Sequence, residues 1–173
     1  MAEAHPNAAL IERLYASLDA ADGEAMASLY APGAHFRDPA FGDLRDGEPG
    51  DMWRMLCSQA KDLAVTASEV RADDREGSAR WRATYTFTAT GRPVVNNVTA
   101  SFRFEDGLIA DHRDDFSMWR WSRQALGPAA LLLGSNPVGQ ALIRRQARGR
   151  LAGWRSERRT SPPGGRAESG PGS

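Results

Sequence analysis

The residues best suited to acid–base chemistry are His112 and Asp114, which lie two positions apart. If residues 107–119 form a strand, successive side chains alternate between its faces, and this pair shares a mostly apolar face with Ala110 and Phe116. Burying such polar groups without partners is costly, so the pair is either a satisfied structural contact in the core or a functional one. In the functional alternative, Asp114 orients His112 and raises its basicity, so that the imidazole can accept and release a proton near neutral pH.

A third candidate is Asp38, which ends a short predicted strand at residues 34–38. It has the same parity as Phe36, whose side chain should face inward, and Pro39 stops the strand directly after the carboxylate. An Asp-Pro pair can also simply start a turn, and that alternative stays open. A carboxylate in apolar surroundings has a raised pKa and becomes a better base, so Asp38 joins the histidine–aspartate pair as a predicted catalytic residue.

Hydrophobic spacing predicts the helices and strands that position these side chains. Residues 7–20 carry apolar side chains at helical spacing, Asp22 caps a second short helix, and a third helix starts near Glu48. Strands are predicted at residues 34–38, 78–89, 94–104 and 107–119, with residues 63–71 ambiguous. Helices followed by strands favour an α+β fold, in which three helices of the N-terminal half pack on a curved antiparallel sheet. If the sheet curls around them, the three catalytic candidates face the pocket that it encloses.

Aromatic side chains at these spacings fit the walls of such a pocket, although aromatic residues on strands and helices are also ordinary core packing. Two of the polar groups among them, on Tyr85 and Asn96, could hydrogen-bond to a ligand carbonyl. The residues predicted to line the pocket are Tyr15, Trp53, Trp81, Tyr85, Asn96, Phe102 and Phe116.

Composition limits the class of protein. The chain has 173 residues, 41% of them hydrophobic, which suits one domain with an appendage. No stretch approaches the ~20 apolar residues of a membrane span, and the N-terminus lacks a secretory signal pattern, so we expect a cytoplasmic protein. The single cysteine, Cys57, excludes an internal disulfide, and the three histidines show no ligand spacing, so no metal site is predicted. Without a phosphate-binding glycine loop or a nucleotide fingerprint, we expect no cofactor.

Charge separates the C-terminal part from the rest of the chain. Residues 1–119 contain 12 Lys and Arg against 20 Asp and Glu, a net charge of −8, whereas residues 120–173 carry +8. Residues 119–159 are predicted as a basic helical extension, and residues 160–173, rich in Pro, Gly and Ser, as a disordered tail. The helix at 137–159 either packs over the mouth of the pocket or on a partner subunit, or lies on an anionic membrane surface. Nucleic acid is not expected as a partner, because the acidic body opposes a polyanion.

Three segments carry a family resemblance: residues 10–23 (LIERLYASLDAADG), 29–39 (LYAPGAHFRDP) and 101–109 (SFRFEDGLI). Together they resemble the nuclear-transport-factor-2-like superfamily in its SnoaL-like and ketosteroid-isomerase-like branch, over about residues 7–118. The resemblance implies a cone of curved sheet closed by three helices, a deep pocket for an apolar small molecule, and a homodimer. One scaffold of this kind hosts many activities, so the resemblance specifies the fold better than the function.

In the isomerases that the chain resembles, the carboxylate before the proline, here Asp38, removes a proton α to a carbonyl. Those isomerases have two oxyanion donors, a tyrosine and a protonated acid. At the corresponding positions this chain has Leu14 and Ala100, which cannot donate. His112 and Asp114, on the neighbouring strand and the same face, take their place. The predicted function is therefore cofactor-independent acid–base chemistry, namely isomerisation, cyclisation or dehydration of an apolar carbonyl- or ring-bearing substrate. The alternative is a non-catalytic ligand-binding or protein-interaction module of the same fold, recruited to a membrane by its basic tail.

Overall fold

Three helices come from the N-terminal half of the chain: α1 (Pro6–Asp19), α2 (Gly23–Ser28) and α3 (Glu48–Gln59). The structure is a computed structural model that describes residues 5–130 and 134–160. Helix α1 buries the apolar stripe that its spacing predicts. Asp22 caps α2 as expected, because its carboxylate accepts a hydrogen bond from the backbone N–H of Ala25 at 2.9 Å.

Six strands form one curved sheet. They are β1 (Tyr30–Asp38), β2 (Gly42–Leu44), β3 (Ala64–Ala72), β4 (Glu76–Phe87), β5 (Arg92–Glu105) and β6 (Leu108–Asp115). Their order across the sheet is β2-β1-β6-β5-β4-β3. The segment whose sequence pattern is ambiguous forms the edge strand β3, where only Val65 is fully buried, so it shows little alternation. The α+β class and the curved sheet predicted from the sequence are confirmed.

One pairing within the sheet is parallel. Strands β1 and β6 run in the same direction, whereas the other neighbouring strands pair antiparallel. Phe36 lies opposite His112, and two residues further along the same face come Asp38 on β1 and Asp114 on β6. The carboxyl ends of parallel strands meet at one edge, so this pairing brings the two aspartates together. Alternation of apolar and polar residues is compatible with either direction, so the sequence pattern does not reveal the pairing.

The strand predicted at residues 107–119 is shorter in the structure, because β6 ends before Phe116. Ser117 caps the next helix, α4 (Met118–Leu126): its side-chain oxygen accepts a hydrogen bond from the backbone N–H of Arg120 at 3.3 Å. Phe116 is therefore a half-buried residue at the strand–helix junction and not part of the strand's inner face. A serine followed by helical apolar spacing is a helix-start signal that the alternation conceals.

A long C-terminal helix, α5 (Pro137–Thr160), follows a short 3₁₀ turn at Pro128–Ala130. Asn136 caps α5, since its side-chain oxygen accepts a hydrogen bond from the backbone N–H of Gly139 at 2.8 Å. Leu151 is 2% exposed and belongs to the main hydrophobic core, and its neighbours Ala147 and Trp154 pack against that core. The C-terminal part of the apolar side of this basic helix is thus packed on the domain itself, whereas Val138 and Leu142 near its start are exposed.

Ion pairs fasten α5 to the first turn of α3. Nε of Arg155 lies 2.9 Å from the carboxylate of Asp51, and Nη1 of the same arginine lies 3.5 Å from Glu48. Within residues 5–130 and 134–160, no helix combines the length and apolarity that a membrane crossing requires. The predicted disordered tail begins with Thr160, which is the last residue of α5, and otherwise lies outside the described residues.

Candidate functional site

His112 and Asp114 form a buried hydrogen-bonded pair on the inner face of β6. The atoms His112 Nε2 and Asp114 Oδ1 are 3.0 Å apart, and the two residues are 0% and 4% exposed. Aromatic rings enclose the imidazole: the ring centres of Phe102 and Phe36 lie 4.4 and 5.0 Å from it. His112 is therefore closed off from solvent, and of the two side chains only Asp114 can meet a ligand.

A chain of hydrogen bonds fixes the position of the imidazole proton. Trp53 Nε1 donates to the hydroxyl of Tyr30 over 2.8 Å, and that hydroxyl lies 2.7 Å from His112 Nδ1. Since the indole only donates, the Tyr30 oxygen accepts from it. We assign the Tyr30 proton to the bond with Nδ1 and the His112 proton to Nε2, which then donates to Asp114, because this arrangement satisfies every donor. Burial, followed by the nearby charge of Asp114, raises the pKa of Tyr30 well above its usual value.

The hydroxyl of Tyr15 is buried without a partner. Tyr15 is 3% exposed, and its Oη is a buried side-chain atom that makes no hydrogen bond within the described residues. The ring packs against Trp81 and Phe102, with ring centres 5.4 and 6.4 Å away. Burial first, and the charge of Asp114 second, raise the pKa of Tyr15 well above its usual value. A buried hydroxyl without a partner is unfavourable, so it is not expected to stabilise the fold.

The two tyrosines allow a matched test of this hydrogen-bond chain. Tyr30→Phe leaves the indole N–H of Trp53 and Nδ1 of His112 unpaired, and we expect it to lower the free energy of unfolding by about 1–3 kcal/mol. Tyr15→Phe removes a hydroxyl that has no partner, and we expect a change within about 0.5 kcal/mol or a small gain. Urea unfolding at pH 7 measures both values. Equal losses in the two variants would contradict the chain.

Asp114 connects the buried pair to the surface. Its Oδ1 accepts hydrogen bonds from Nε2 of His112 and, at 3.2 Å, from Nε1 of Trp81. Its Oδ2 has no hydrogen-bond donor among the described residues. Two N–H groups aimed at one oxygen hold the carboxylate in a single orientation and leave the other oxygen for a ligand.

Asp38 both starts a turn and faces the same region as Asp114. Its Oδ1 accepts a hydrogen bond from the backbone N–H of Phe41 at 2.5 Å, which is the turn-starting role that the sequence leaves open. Burial raises the pKa of Asp38 to about 7; the hydrogen bond from Phe41 opposes this rise, and the charge of Asp114 adds to it. Near neutral pH the carboxyl therefore exists in both protonation states.

The raised pKa gives Asp38 a pH dependence opposite to that of an ordinary carboxylate. The folded protein holds this proton up to about pH 7, whereas the unfolded chain loses it near pH ~4. The stabilising contribution is therefore fully present below about pH 4 and is lost as the pH rises through about 7. We expect wild type to lose about 2 to 4 kcal/mol more stability than Asp38→Asn between pH 4 and pH 8. Urea unfolding at several pH values measures this difference, and parallel profiles for the two proteins would contradict it.

Both aspartates line an open cleft of about 690 Å³ at the ends of β1 and β6. Helix α5 forms the other wall, through Ala141 and the arginines that follow it. Most of the lining side chains are charged, and arginine is the commonest of them. The five arginines are Arg37, Arg113, Arg144, Arg145 and Arg148.

The seven residues predicted to line an apolar pocket lie away from this cleft. They are Tyr15, Trp53, Trp81, Tyr85, Asn96, Phe102 and Phe116, and none of them contributes to its lining. Trp53 and Phe102 are buried in the core, Asn96 is half-buried on β5, and the hydroxyl of Tyr85 accepts a hydrogen bond from Nε1 of Trp121 at 2.9 Å. Tyr15 lines a different cleft, of about 480 Å³, between α1 and β3. The cleft beside the two aspartates is thus built from other residues than the seven predicted ones, and the apolar pocket stays a prediction.

Sequence reasoning misses Tyr30 and the arginines of the cleft. Helical spacing places Tyr30 on the inner side of the second helix, whereas in the structure it begins β1. The dipeptide Arg-Asp occurs at residues 37–38 and 113–114, the two strand ends that the parallel pairing brings side by side. It also occurs at residues 45–46, outside the cleft, so the dipeptide alone does not identify these arginines.

Several solved structures share this fold. The chain is similar to a putative SnoaL-like polyketide cyclase from Jannaschia sp. CCS1, with 15% identity, 74% of this chain and 97% of that chain covered, and a TM-score of 0.62. It is also similar to a hypothetical protein with a ketosteroid isomerase-like fold from Catenulispora acidiphila in complex with trimethylamine (16% identity; 69% and 94% covered; TM-score 0.60). A third similar structure is IdmH, a putative polyketide cyclase from Streptomyces antibioticus, with 24% identity, 67% of this chain and 94% of that chain covered, and a TM-score of 0.55. At these identities the similarity shows the fold alone.

The sequence matches no curated protein. Residues 11–112, more than half of the chain, match the SnoaL-like domain. The matched range includes Asp38 and His112, and Asp114 follows two residues after its end. By this match and by its fold, the chain belongs to the SnoaL-like domain family.

Proposed function

We propose that this protein is an enzyme that moves a proton on a carbonyl- or ring-bearing small molecule by acid–base catalysis. The observation that supports the proposal best is the pair Asp38 and Asp114, which lie side by side at the ends of two parallel strands and both line the cleft. Two carboxyl groups in different surroundings are suited to different acid and base roles. With a pKa of about 7, Asp38 can take up and release a proton near neutral pH.

The reaction begins at Asp38. In its ionised form the carboxylate removes a proton from a carbon next to a carbonyl, and the electrons of the C–H bond move into an enolate. Return of the proton to a different carbon completes an isomerisation. In a dehydration the neighbouring C–O bond breaks and the hydroxyl leaves as water with the proton that Asp38 had taken up. In a cyclisation the enolate carbon attacks a second carbonyl, whose oxygen receives that proton. The three predicted reactions share this first proton transfer.

His112 acts in this scheme as a positioning residue. The sequence pattern predicts that Asp114 orients His112 toward the substrate, but the imidazole is enclosed by rings and both of its nitrogens are occupied. The roles within the pair are therefore exchanged: His112 orients Asp114, whose second oxygen is left for a ligand. The general acid or base that contacts substrate is then one of the two aspartates.

Hydrogen–deuterium exchange tests the proton transfer on simple model compounds, so the natural substrate need not be identified first. A panel of cyclic ketones and 1,3-dicarbonyl compounds in D₂O is followed by NMR through the loss of α-proton signals, with and without the protein. Exchange that wild type accelerates and Asp38→Asn does not would support the proposal. Exchange at the buffer rate across the panel, or equal acceleration by both proteins, would overturn it.

The enclosure of His112 by aromatic rings favours a second candidate, a non-catalytic ligand-binding or interaction module. Phe36, Phe102 and Trp53 surround His112 and leave it no open side, as expected for a structural pair. An NMR titration of the Asp38 carboxyl separates the candidates, because a midpoint near the ordinary value of ~4 would favour the module. A homodimer, a cytoplasmic location, an apolar small-molecule ligand and contact of residues 137–159 with a membrane surface stay predictions.

A further inference from the structure

Two arginines of the cleft have no partner within the described residues. Arg113 extends from β6 and Arg145 from α5, so they stand on two different walls of the cleft. Both side chains are exposed, and neither makes an ion pair or a hydrogen bond with a described residue. Two unpaired guanidinium groups facing one cleft leave positive charge available for a ligand.

The other three arginines are already engaged in holding the cleft. Arg144 Nη1 donates to the backbone carbonyl of Pro39 at 3.3 Å, and Arg148 Nη1 donates to the backbone carbonyl of Asp43. Nε of Arg37 lies 4.0 Å from the carboxylate of Asp43. These contacts tie α5 to the turn after β1 and to β2, and Arg37 to β2. All three arginines keep their charge, but the guanidinium N–H groups that a ligand can bind without breaking a contact are those of Arg113 and Arg145.

The charge of the whole lining favours an anion of low charge. Against its five arginines the cleft has four aspartates, so its net charge is +1 when all are ionised and +2 when Asp38 holds a proton. When Asp38 is ionised, as a general base must be, a monoanion neutralises this charge. A dianion such as a phosphate monoester would add a second negative charge beside Asp38 and Asp114, where like charges repel.

We propose that the molecule acted on in this cleft carries a carboxylate, which binds between the guanidinium groups of Arg113 and Arg145. The planar fork of N–H groups on arginine matches the two oxygens of a carboxylate. The body of the molecule then extends along the cleft toward Asp38 and Asp114. The inference rests on the proposed function only in taking the bound molecule as the substrate, since binding at the two arginines does not require a reaction.

Calorimetry with three naphthalene derivatives tests the charge preference. 2-Naphthoate, the neutral 2-naphthamide and the dianionic 2-naphthyl phosphate share one ring system and differ in the group presented to the arginines. We expect wild type to bind 2-naphthoate at least about 10-fold more tightly than the other two. Equal binding of the amide, tighter binding of the phosphate, or no binding of 2-naphthoate would overturn the proposal.

Matched arginine variants locate the contact. Arg113→Gln and Arg145→Gln are each expected to weaken 2-naphthoate binding about 10-fold, because a charge-assisted hydrogen bond is lost. Arg159→Gln removes the same charge from an exposed position of the same helix outside the cleft, and we expect no change. A similar loss in all three variants would mean that net charge alone attracts the anion. Because Arg113 and Arg145 have no described partners, circular dichroism and thermal unfolding should match wild type.

The two proposals can fail separately. If 2-naphthoate binds as expected while Asp38→Asn leaves proton exchange unchanged, the carboxylate site stands and acid–base catalysis by Asp38 does not. If proton exchange depends on Asp38 but 2-naphthoate binding is insensitive to both arginines, the catalytic proposal stands and the carboxylate site does not.

Discussion

Asp38→Asn is expected to slow protein-catalysed α-proton exchange by about 10²- to 10⁴-fold, the range typical of a lost general base. The substitution removes the group that accepts the proton and changes little else. The asparagine oxygen can still accept the hydrogen bond that the backbone N–H of Phe41 donates to Asp38, so the turn after β1 is retained. The neutral amide also cannot repel Asp114, and the variant should be at least as stable as wild type near pH 8.

The same prediction fixes the direction in which the exchange rate changes with pH. Burial raises the pKa of Asp38 to about 7, so a base at this position gains activity as the pH rises and levels off above about 7. The residual rate of Asp38→Asn should lack this rise. Asp106→Asn is the matched control, because Asp106 is exposed in the hairpin turn before β6, at a φ of 51° that asparagine tolerates. A wild-type rate that falls through pH 7 would assign Asp38 the role of acid.

The inner faces of single elements could be predicted from the sequence, because they depend only on spacing along the chain. Alternation places His112 and Asp114 on one face of β6, and the structure joins them by a 3.0 Å hydrogen bond. Helical spacing likewise identifies the buried side of α1. Within one strand or helix, the face to which a side chain points follows from the backbone geometry, so its position in the repeat of the strand or helix is sufficient evidence.

How the helices and strands are arranged relative to one another could not be predicted in the same way. Arg37 and Arg113 lie on the outward side of their strands by parity, yet both line the cleft because α5 returns across the ends of β1 and β6. Parity contains no information on a helix that joins the sheet from a later part of the chain. The expected apolar pocket stays a prediction for a similar reason, since aromatic spacing does not distinguish rings that line a cavity from rings that fill it.

The properties of the cleft depend on the buried chain behind it. The charge of Asp114 contributes to the raised pKa of Asp38, and the orientation of Asp114 depends on the N–H group of His112. His112 in turn holds that proton on Nε2 because Tyr30 donates to Nδ1. A change at either buried residue should therefore alter both stability and the pH profile of exchange, although neither residue touches the ligand.

His112→Phe is expected to lower the free energy of unfolding by about 3–5 kcal/mol, the range observed when one partner of a buried pair is removed. Phenylalanine supplies a ring of similar shape, so the loss reflects hydrogen bonding more than packing. Tyr30 would lose the acceptor of its proton, and Asp114 would keep only the indole N–H of Trp81. His35→Phe is the matched control: the His35 ring also contacts two carboxylates at 2.9 Å, but it is partly exposed, and surface pairs contribute about 1 kcal/mol or less. Guanidinium unfolding at pH 7 measures both variants.

A double variant separates a hydrogen-bonding loss from a packing loss. Adding Asp114→Val to His112→Phe removes the carboxylate that the single variant leaves buried without its main donor. If the buried charge causes the loss, the double variant should be no less stable than His112→Phe alone, because an apolar replacement of a whole buried pair is often neutral. If the two substitutions instead add, the imidazole contributes through its fit among Phe36, Phe102 and Trp53, and its role in orienting Asp114 is contradicted. The result also bears on catalysis, because only an oriented Asp114 can influence Asp38 with a fixed charge at a fixed distance.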